Sequence, residues 1–344
     1  MKLGIIGLPV SGKNTVFEAL THEFTASGDK SEDRLGTIHV PDTRIDTLSR
    51  MYQPRKTIYA QVEYFLPGKT GHKKEGDKTE TAWNAVRDMD ALIYVVRNFR
   101  MFGLDAPTPE ADSLKLDQEL ILSDLAVVER RLERMNAESK KGKPIDAEER
   151  ELLEKSQQLL EAEKPLRNDP HIAAAPQLRG YAFLSAKPVL ILFNNEDEDT
   201  ALPETKGALN QAECLVIRGK LEHELAQMTD EEAAELLAEF DIAASATDRV
   251  IQKSYTILGL ISFFTVGEDE VRAWTIQKGT IAVEAAGAIH TDIKKGFIRA
   301  ETISYGDLMA AGSMNAAKKK GTLRLEGKTY NVQDGDIINF RFNV

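Results

Sequence analysis

The chain has 344 residues, 42% hydrophobic and 29% charged, with a formal net charge of -11. This describes a folded protein long enough for two or three domains and sets aside a disordered one. No window approaches about eighteen uninterrupted apolar residues and the short apolar N-terminus lacks a small-residue cleavage site, so neither a membrane span nor a signal peptide is expected and a cytoplasmic protein is read. The acidic balance argues against a protein that coats duplex DNA, and the single cysteine, Cys214, excludes an intrachain disulfide.

In chain order, Lys2-Leu3-Gly4-Ile5-Ile6 reads as a short buried strand running into Gly7-Leu8-Pro9-Val10-Ser11-Gly12-Lys13-Asn14-Thr15. That segment follows the phosphate-binding pattern G-x-x-x-x-G-K-[ST] in all but its last letter. Glycines let backbone N–H groups turn toward phosphate oxygens, the lysine neutralises charge, and the final hydroxyl ordinarily holds Mg²⁺. Here Asn14 replaces the hydroxyl. A helix from Thr15 to Thr21 follows, so strand, loop and helix N-terminus stand in the order an anion site requires. The expected nucleotide contacts are therefore Val10, Ser11, Gly12, Lys13, Asn14 and Thr15.

Residues 62–66 and 91–96 read as strands, the second almost wholly apolar, as a parallel strand covered on both faces should be. Between them, Pro67 to Lys78 is rich in glycine and lysine and reads as a mobile loop at the place of a nucleotide-sensing switch. From Asp112 to about Lys164, Leu116, Leu120, Val128 and Leu132 recur at helical spacing, and the run breaks at Lys140-Lys141-Gly142-Lys143-Pro144. Two long helices joined by that turn predict an antiparallel hairpin. The α/β pattern returns with strands at 188–193 and 213–217, the second placing Cys214 in a buried strand. Helices follow around 230–240 and 247–260, and from about Ser262 short strands with glycine turns describe a small α+β domain. The division expected is 1–111 with 182–261 for a doubly wound, mostly parallel sheet, 112–181 for an inserted helical hairpin, and 262–344 for the last domain.

Other residues carry less. His22, His39, His72, His171, His223 and His290 show no metal-binding spacing, so no metal centre is assigned. His290 is read as a structural hydrogen-bonding residue and Trp274 as core. Lys318-Lys319-Lys320 with Arg324, Lys328 and Arg341 form either a solvated surface or an RNA contact.

These residues resemble the YchF family, a branch of the Obg-related P-loop translation-factor NTPases whose members tend to bind ATP instead of GTP. The match is strongest in Leu260-Ile261-Ser262-Phe263-Phe264-Thr265-Val266-Gly267, Glu270 to Thr275, Lys295 to Glu301 and Val332 to Val344, which resemble that family's TGS-like domain. It extends to Gly4 to Pro9, to Pro41-Asp42 with Arg44, to Arg87-Asp88 with Asp90, and to Lys187-Pro188. The helical hairpin falls where the family carries its coiled-coil insertion.

The chain departs from the family where Mg²⁺ would be held. Asn14 stands for the family's serine, Leu35 for a switch threonine, and Leu66 for the aspartate of D-x-x-G. Bound Mg²⁺ is therefore expected to be weak and hydrolysis slow or absent. Base recognition falls on Asn194-Asn195-Glu196-Asp197, with Asn194 and Asp197 expected to face the base. The run lacks the lysine of N-K-x-D but keeps its aspartate, which leaves ATP and GTP both open and favours adenine on the resemblance. The resemblance implies a nucleotide-dependent switch on the ribosome or translation machinery, with possible RNA contact through the TGS-like and helical domains. The alternative is a protein- or RNA-binding module whose nucleotide pocket is vestigial.

Overall fold

The computed structural model describes residues 1–24, 32–68, 83–205, 209, 213–239 and 245–343. Most of the expected switch loop, from residue 69 to Lys78, lies outside them. Internal contacts divide the chain into two units, 1–38 with 63–250 and 39–62 with 251–344.

The first unit is built on a sheet of order β2-β4-β1-β5-β6-β7. Its strands are β1 (Lys2–Ile6), β2 (Arg34–His39), β4 (Gln61–Leu66), β5 (Ala91–Asn98), β6 (Val189–Asn195) and β7 (Glu213–Ile217). The pairs β1–β4, β1–β5, β5–β6 and β6–β7 are parallel. Every residue of β6 is buried and so are the first six of β5, as central strands with both faces covered require. The chain leaves β1, forms strands on one side of it, and returns to its other side as β5. That reversal opens a crevice at the carboxyl end of β1, the position where doubly wound sheets bind ligands. Cys214 is half-buried, contrary to the fully buried strand expected, because β7 is the edge of the sheet.

Helix α1 (Lys13–Thr21) buries Val16, Phe17, Ala19 and Leu20, so its N-terminus is held at the crevice by an apolar face. The hairpin consists of α3 (Pro109–Lys140) and α4 (Ala147–Glu161), after α2 (Thr43–Tyr52) of the other unit. Val128, Leu132 and Met135 of α3 are buried with Leu153 and Leu160 of α4, while Leu116 and Leu120 pack into the core of the sheet. Asp146 caps α4 by accepting from Glu148 and Glu149 N–H, and Pro109 enters α3 in its first turn, where no N–H is needed. Asp124 of α3, buried, accepts from Leu184 and Ser185 N–H at 3.0 and 2.7 Å and from Arg87 at 3.2 Å, which ties the hairpin to the loop before β6. The unit continues through a short helix α5 (Pro170–Ala173), then α6 (Gly219–Leu225) and α7 (Asp230–Glu239), and into α8 (Ala246–Ile257).

The second unit has a sheet of order β11-β10-β12-β8-β9-β3, its strands being β3 (Lys56–Ile58), β8 (Leu260–Val266), β9 (Glu270–Gln277), β10 (Phe297–Ser304), β11 (Arg324–Glu326) and β12 (Asp336–Phe342). Phe263, Ile276, Ala285, Phe297 and Phe340 form its core, with Trp274 packed against it. His290 is a helix cap: its Nδ1 accepts from Asp292 N–H at 3.2 Å. Residues 39–62 join this sheet because Arg44 lies between Asp42 at 2.8 Å and Asp334 at 2.7 Å, and β3 adds to β9 in parallel. Among the described residues no helix is long and apolar enough to cross a membrane.

Candidate nucleotide site

The loop from Gly7 to Lys13 closes on itself through Ser11 N–H to Leu8 O at 3.2 Å. It needs glycine at both ends. A Cβ on Gly7 would lie 2.5 Å from Val95 O, and one on Gly12, whose φ is +87°, would lie 2.2 Å from Asn194 Nδ2. Gly12 is also the N-cap of α1, so Lys13, Asn14 and Thr15 bring first-turn N–H groups that no intrahelical carbonyl satisfies. These donors and the positive end of the helix dipole are suited to an anion. Lys13 Nζ donates to Gly7 O at 3.2 Å and Leu8 O at 3.5 Å, which keeps its ammonium folded over the loop. Val10, a β-branched residue at φ +64°, is held in a strained conformation costing about 1–3 kcal/mol, the kind of backbone that persists where the surroundings impose it.

Asn194 lines the same cleft as Asp197 and is also a brace. It is 5% exposed, its Nδ2 donates to Ser11 O at 3.1 Å, and its Oδ1 accepts from Gly219 N–H at 2.9 Å. One buried amide thus braces the phosphate loop against the start of α6. Asn195 is also internal, donating to Asp199 O and Ala201 O at 3.1 and 2.8 Å and accepting from Asn98. Asp197 remains half-exposed: Oδ1 accepts from Leu221 N–H at 3.2 Å and Oδ2 lies 3.5 Å from Lys220 Nζ. Beside it opens a cleft of about 450 Å³ lined by Gly12, Thr15, Phe99, Arg100, Lys220, Asn194 and Asn195, and the acidic Glu196, Asp197 and Glu198. Sequence reasoning missed Phe99, Arg100 and Lys220. Their signal was position, since they directly follow β5 and β7 at the carboxyl edge of the sheet.

The wall of this cleft is anchored from below. Glu222 of α6 is 2% exposed, and its carboxylate accepts from Ser245 Oγ, from Ala246 N–H at 2.8 Å and from Thr247 Oγ1 at 2.9 Å. It caps α8 and so holds the helix whose first N–H groups position Asn194 and Asp197. Glu18 on α1 pairs with Arg34 at 2.9 Å and His223 at 3.0 Å, joining α1 to α6 by a second route.

The positions where the resemblance places Mg²⁺ ligands hold neither a carboxylate nor a hydroxyl. Asn14 offers a neutral amide oxygen and Leu35 is 47% exposed and apolar; counting D-x-x-G back from Gly68 puts the aspartate's position at Phe65, half-buried against the core, and not at Leu66, which is 3% exposed. Among the described residues no group of three or more His, Cys, Asp or Glu is arranged to hold an ion. A larger cleft, about 960 Å³, lies in the second unit around Asp42, Arg44, Tyr255 and Asp334. Its main polar groups are already paired, Tyr255 with Ser262 at 2.9 Å and Arg44 with both aspartates, so size does not make it the stronger candidate.

Comparison with known proteins bears on this arrangement. The family model YchF-GTPase_C, described as a protein of unknown function (DUF933), matches residues 260–343. The ribosome-binding ATPase YchF of Bacillus subtilis (strain 168) is 38% identical, across 99% of this chain and 99% of the relative. The chain belongs to the YchF family. Another YchF, from Haemophilus influenzae and also named a ribosome-binding ATPase, is 35% identical over 100% of this chain and 99% of its own. The YchF GTPase structure from Schizosaccharomyces pombe matches with a TM-score of 0.82 and 29% identity, covering 99% of this chain and 97% of that one. The likeness to YchF therefore spans the phosphate loop, the hairpin and the C-terminal sheet together.

Proposed function

We propose that this chain is a P-loop switch that binds a nucleoside triphosphate, ATP in preference to GTP, and associates with the ribosome according to its nucleotide state. The observation that carries the reading is the Gly7–Lys13 loop, closed around the N-terminus of α1 and opening into the cleft beside Asp197. Lys13 and the N–H groups of Lys13, Asn14 and Thr15 hold the phosphates, and the half-exposed Asp197 meets the base. The names of the full-length relatives support the ribosome as partner, with the helical hairpin and the TGS-like C-terminal unit as the surfaces that meet it.

Hydrolysis is slow in this reading. Phosphoryl transfer depends on positioning and on neutralising charge that develops in the transition state. Ground-state binding draws on the backbone and Lys13 and does not need that transition-state apparatus. Because the side chains at 14 and 65 do not fit a protein-held Mg²⁺, no step is routed through the metal. Calorimetric titration of the nucleotide-free chain with ATP, GTP and their diphosphates, with Mg²⁺ or in EDTA, tests the site, and sedimentation with ribosomes in each state tests the partner. ATP binding that persists in EDTA is expected. Absence of binding at every Mg²⁺ level would leave the vestigial-pocket alternative in its place.

A further inference from the structure

We propose that Lys220 sets base specificity: beside Asp197 it converts the cleft wall from an edge of two acceptors into one acceptor and one donor, which suits adenine and mismatches guanine. The proposal rests on the reading that this cleft takes the base of a nucleotide.

Asp197 is oriented by Leu221 N–H, which donates to Oδ1 at 3.2 Å, while Lys220 Nζ stands 3.5 Å from Oδ2. The neighbour of Lys220, Gly219, is fixed by Asn194 at 2.9 Å, and a Cβ at 219 would lie 2.6 Å from Asn194 Oδ1. The backbone that carries the ammonium is therefore set by the same amide that braces the phosphate loop. Lys220 also lies 4.0 Å from Glu224, one turn along α6, so its charge stands between two carboxylates. A carboxylate accepts with both oxygens and an ammonium only donates. Guanine presents N1–H and an N2 amine side by side, which one unencumbered carboxylate satisfies. Adenine presents an N6 amine beside the N1 acceptor, which a carboxylate flanked by an ammonium satisfies. With Lys220 in place, Asp197 shares one oxygen with the ammonium, so at Asp197 guanine's two donors meet one free oxygen and one already engaged, and affinity falls where a donor is poorly paired. The lysine is largely exposed, so the effect is modest.

The test titrates the full chain and its Lys220→Ala and Lys220→Arg variants with ATP, GTP, inosine triphosphate and inorganic tripolyphosphate. Inosine lacks the N2 amine. In the unmodified chain GTP and inosine triphosphate are expected to bind alike and more weakly than ATP. In Lys220→Ala, GTP gains roughly threefold to tenfold over inosine triphosphate, tripolyphosphate is unchanged, and Lys220→Arg keeps the parental pattern. Unaltered ratios among the three nucleotides in Lys220→Ala, with binding intact, overturn the proposal and leave the nucleotide site standing. Failure of the unmodified chain to bind any of the four probes overturns the nucleotide site and this proposal with it.

Discussion

Lys13 and Asn194 serve the phosphate loop in separable ways, one by charge and one by bracing. Lys13→Ala removes the loop's cation while leaving its backbone turn, so triphosphate affinity should fall at least tenfold, about 1.4 kcal/mol, with little change in unfolding temperature. Calorimetry and a thermal melt on the same sample check it, and equal ATP affinity in both proteins would refute the phosphate-loop assignment. Asn194→Ala does the reverse first. It leaves Ser11 O and Gly219 N–H without their partners in a buried place, at a cost of about 2–4 kcal/mol in stability. Denaturant unfolding measures that loss. By the same reasoning Asp197→Ala should shift the ATP-to-GTP ratio more than Asn195→Ala, whose amide is committed to internal carbonyls. Placing a carboxylate at Leu66 would put a charge into the core and destabilise the strand.

The hairpin is the element whose stability answers to pH. Arg131 on α3 donates to Glu149 on α4 at 3.0 and 2.9 Å, and Tyr181 donates to the same carboxylate. The hydrogen bond from Arg131 holds Glu149 below the ordinary glutamate range, with Tyr181 adding to it. A depressed carboxylate contributes stability above its unfolded value, about 4.3, and that contribution is lost as pH falls through the lower folded value. The protection of amides within 109–161, exchange rates being divided by the intrinsic rate at each pH, should therefore fall below about pH 4.5 in the parent, with a flatter dependence in Glu149→Gln. Identical profiles in the two proteins would show that the pair carries none of the acid sensitivity. The two helices themselves were legible in the sequence, because Leu116, Leu120, Val128 and Leu132 repeat at the helical period and Gly142 and Pro144 break the run. The cross-brace was not, since nothing local marks Arg131 as the partner of a residue in the next helix.

At the scale of the molecule, each unit is held by a few long-range polar ties that sequence patterns do not show. In the second unit, Arg44, held by Asp42 two residues before it, joins residues 39–62 to the C-terminal sheet through Asp334, and both aspartates help to raise the affinity of its guanidinium for its proton. Arg44→Ala should cost about 1–3 kcal/mol in that unit and speed exchange of the amides in β3, while β5 and β6 keep their protection. Uniform loss of protection across both units would instead mark a general folding defect. The sequence by itself determined the phosphate loop, the buried strands β5 and β6, the hairpin and the family. These are written in short-range signals: glycine and lysine spacing, uninterrupted apolar runs, helical periodicity and near-contiguous motif matches. Tertiary structure alone decided that Asn194 is a brace, that Phe99, Arg100 and Lys220 share a cleft with Asp197, that Cys214 lies on an edge, and that 39–62 belongs with the last strands. Those facts follow from strand order and the crossing of distant loops, and only a folded sheet brings residues about a hundred positions apart within hydrogen-bond reach.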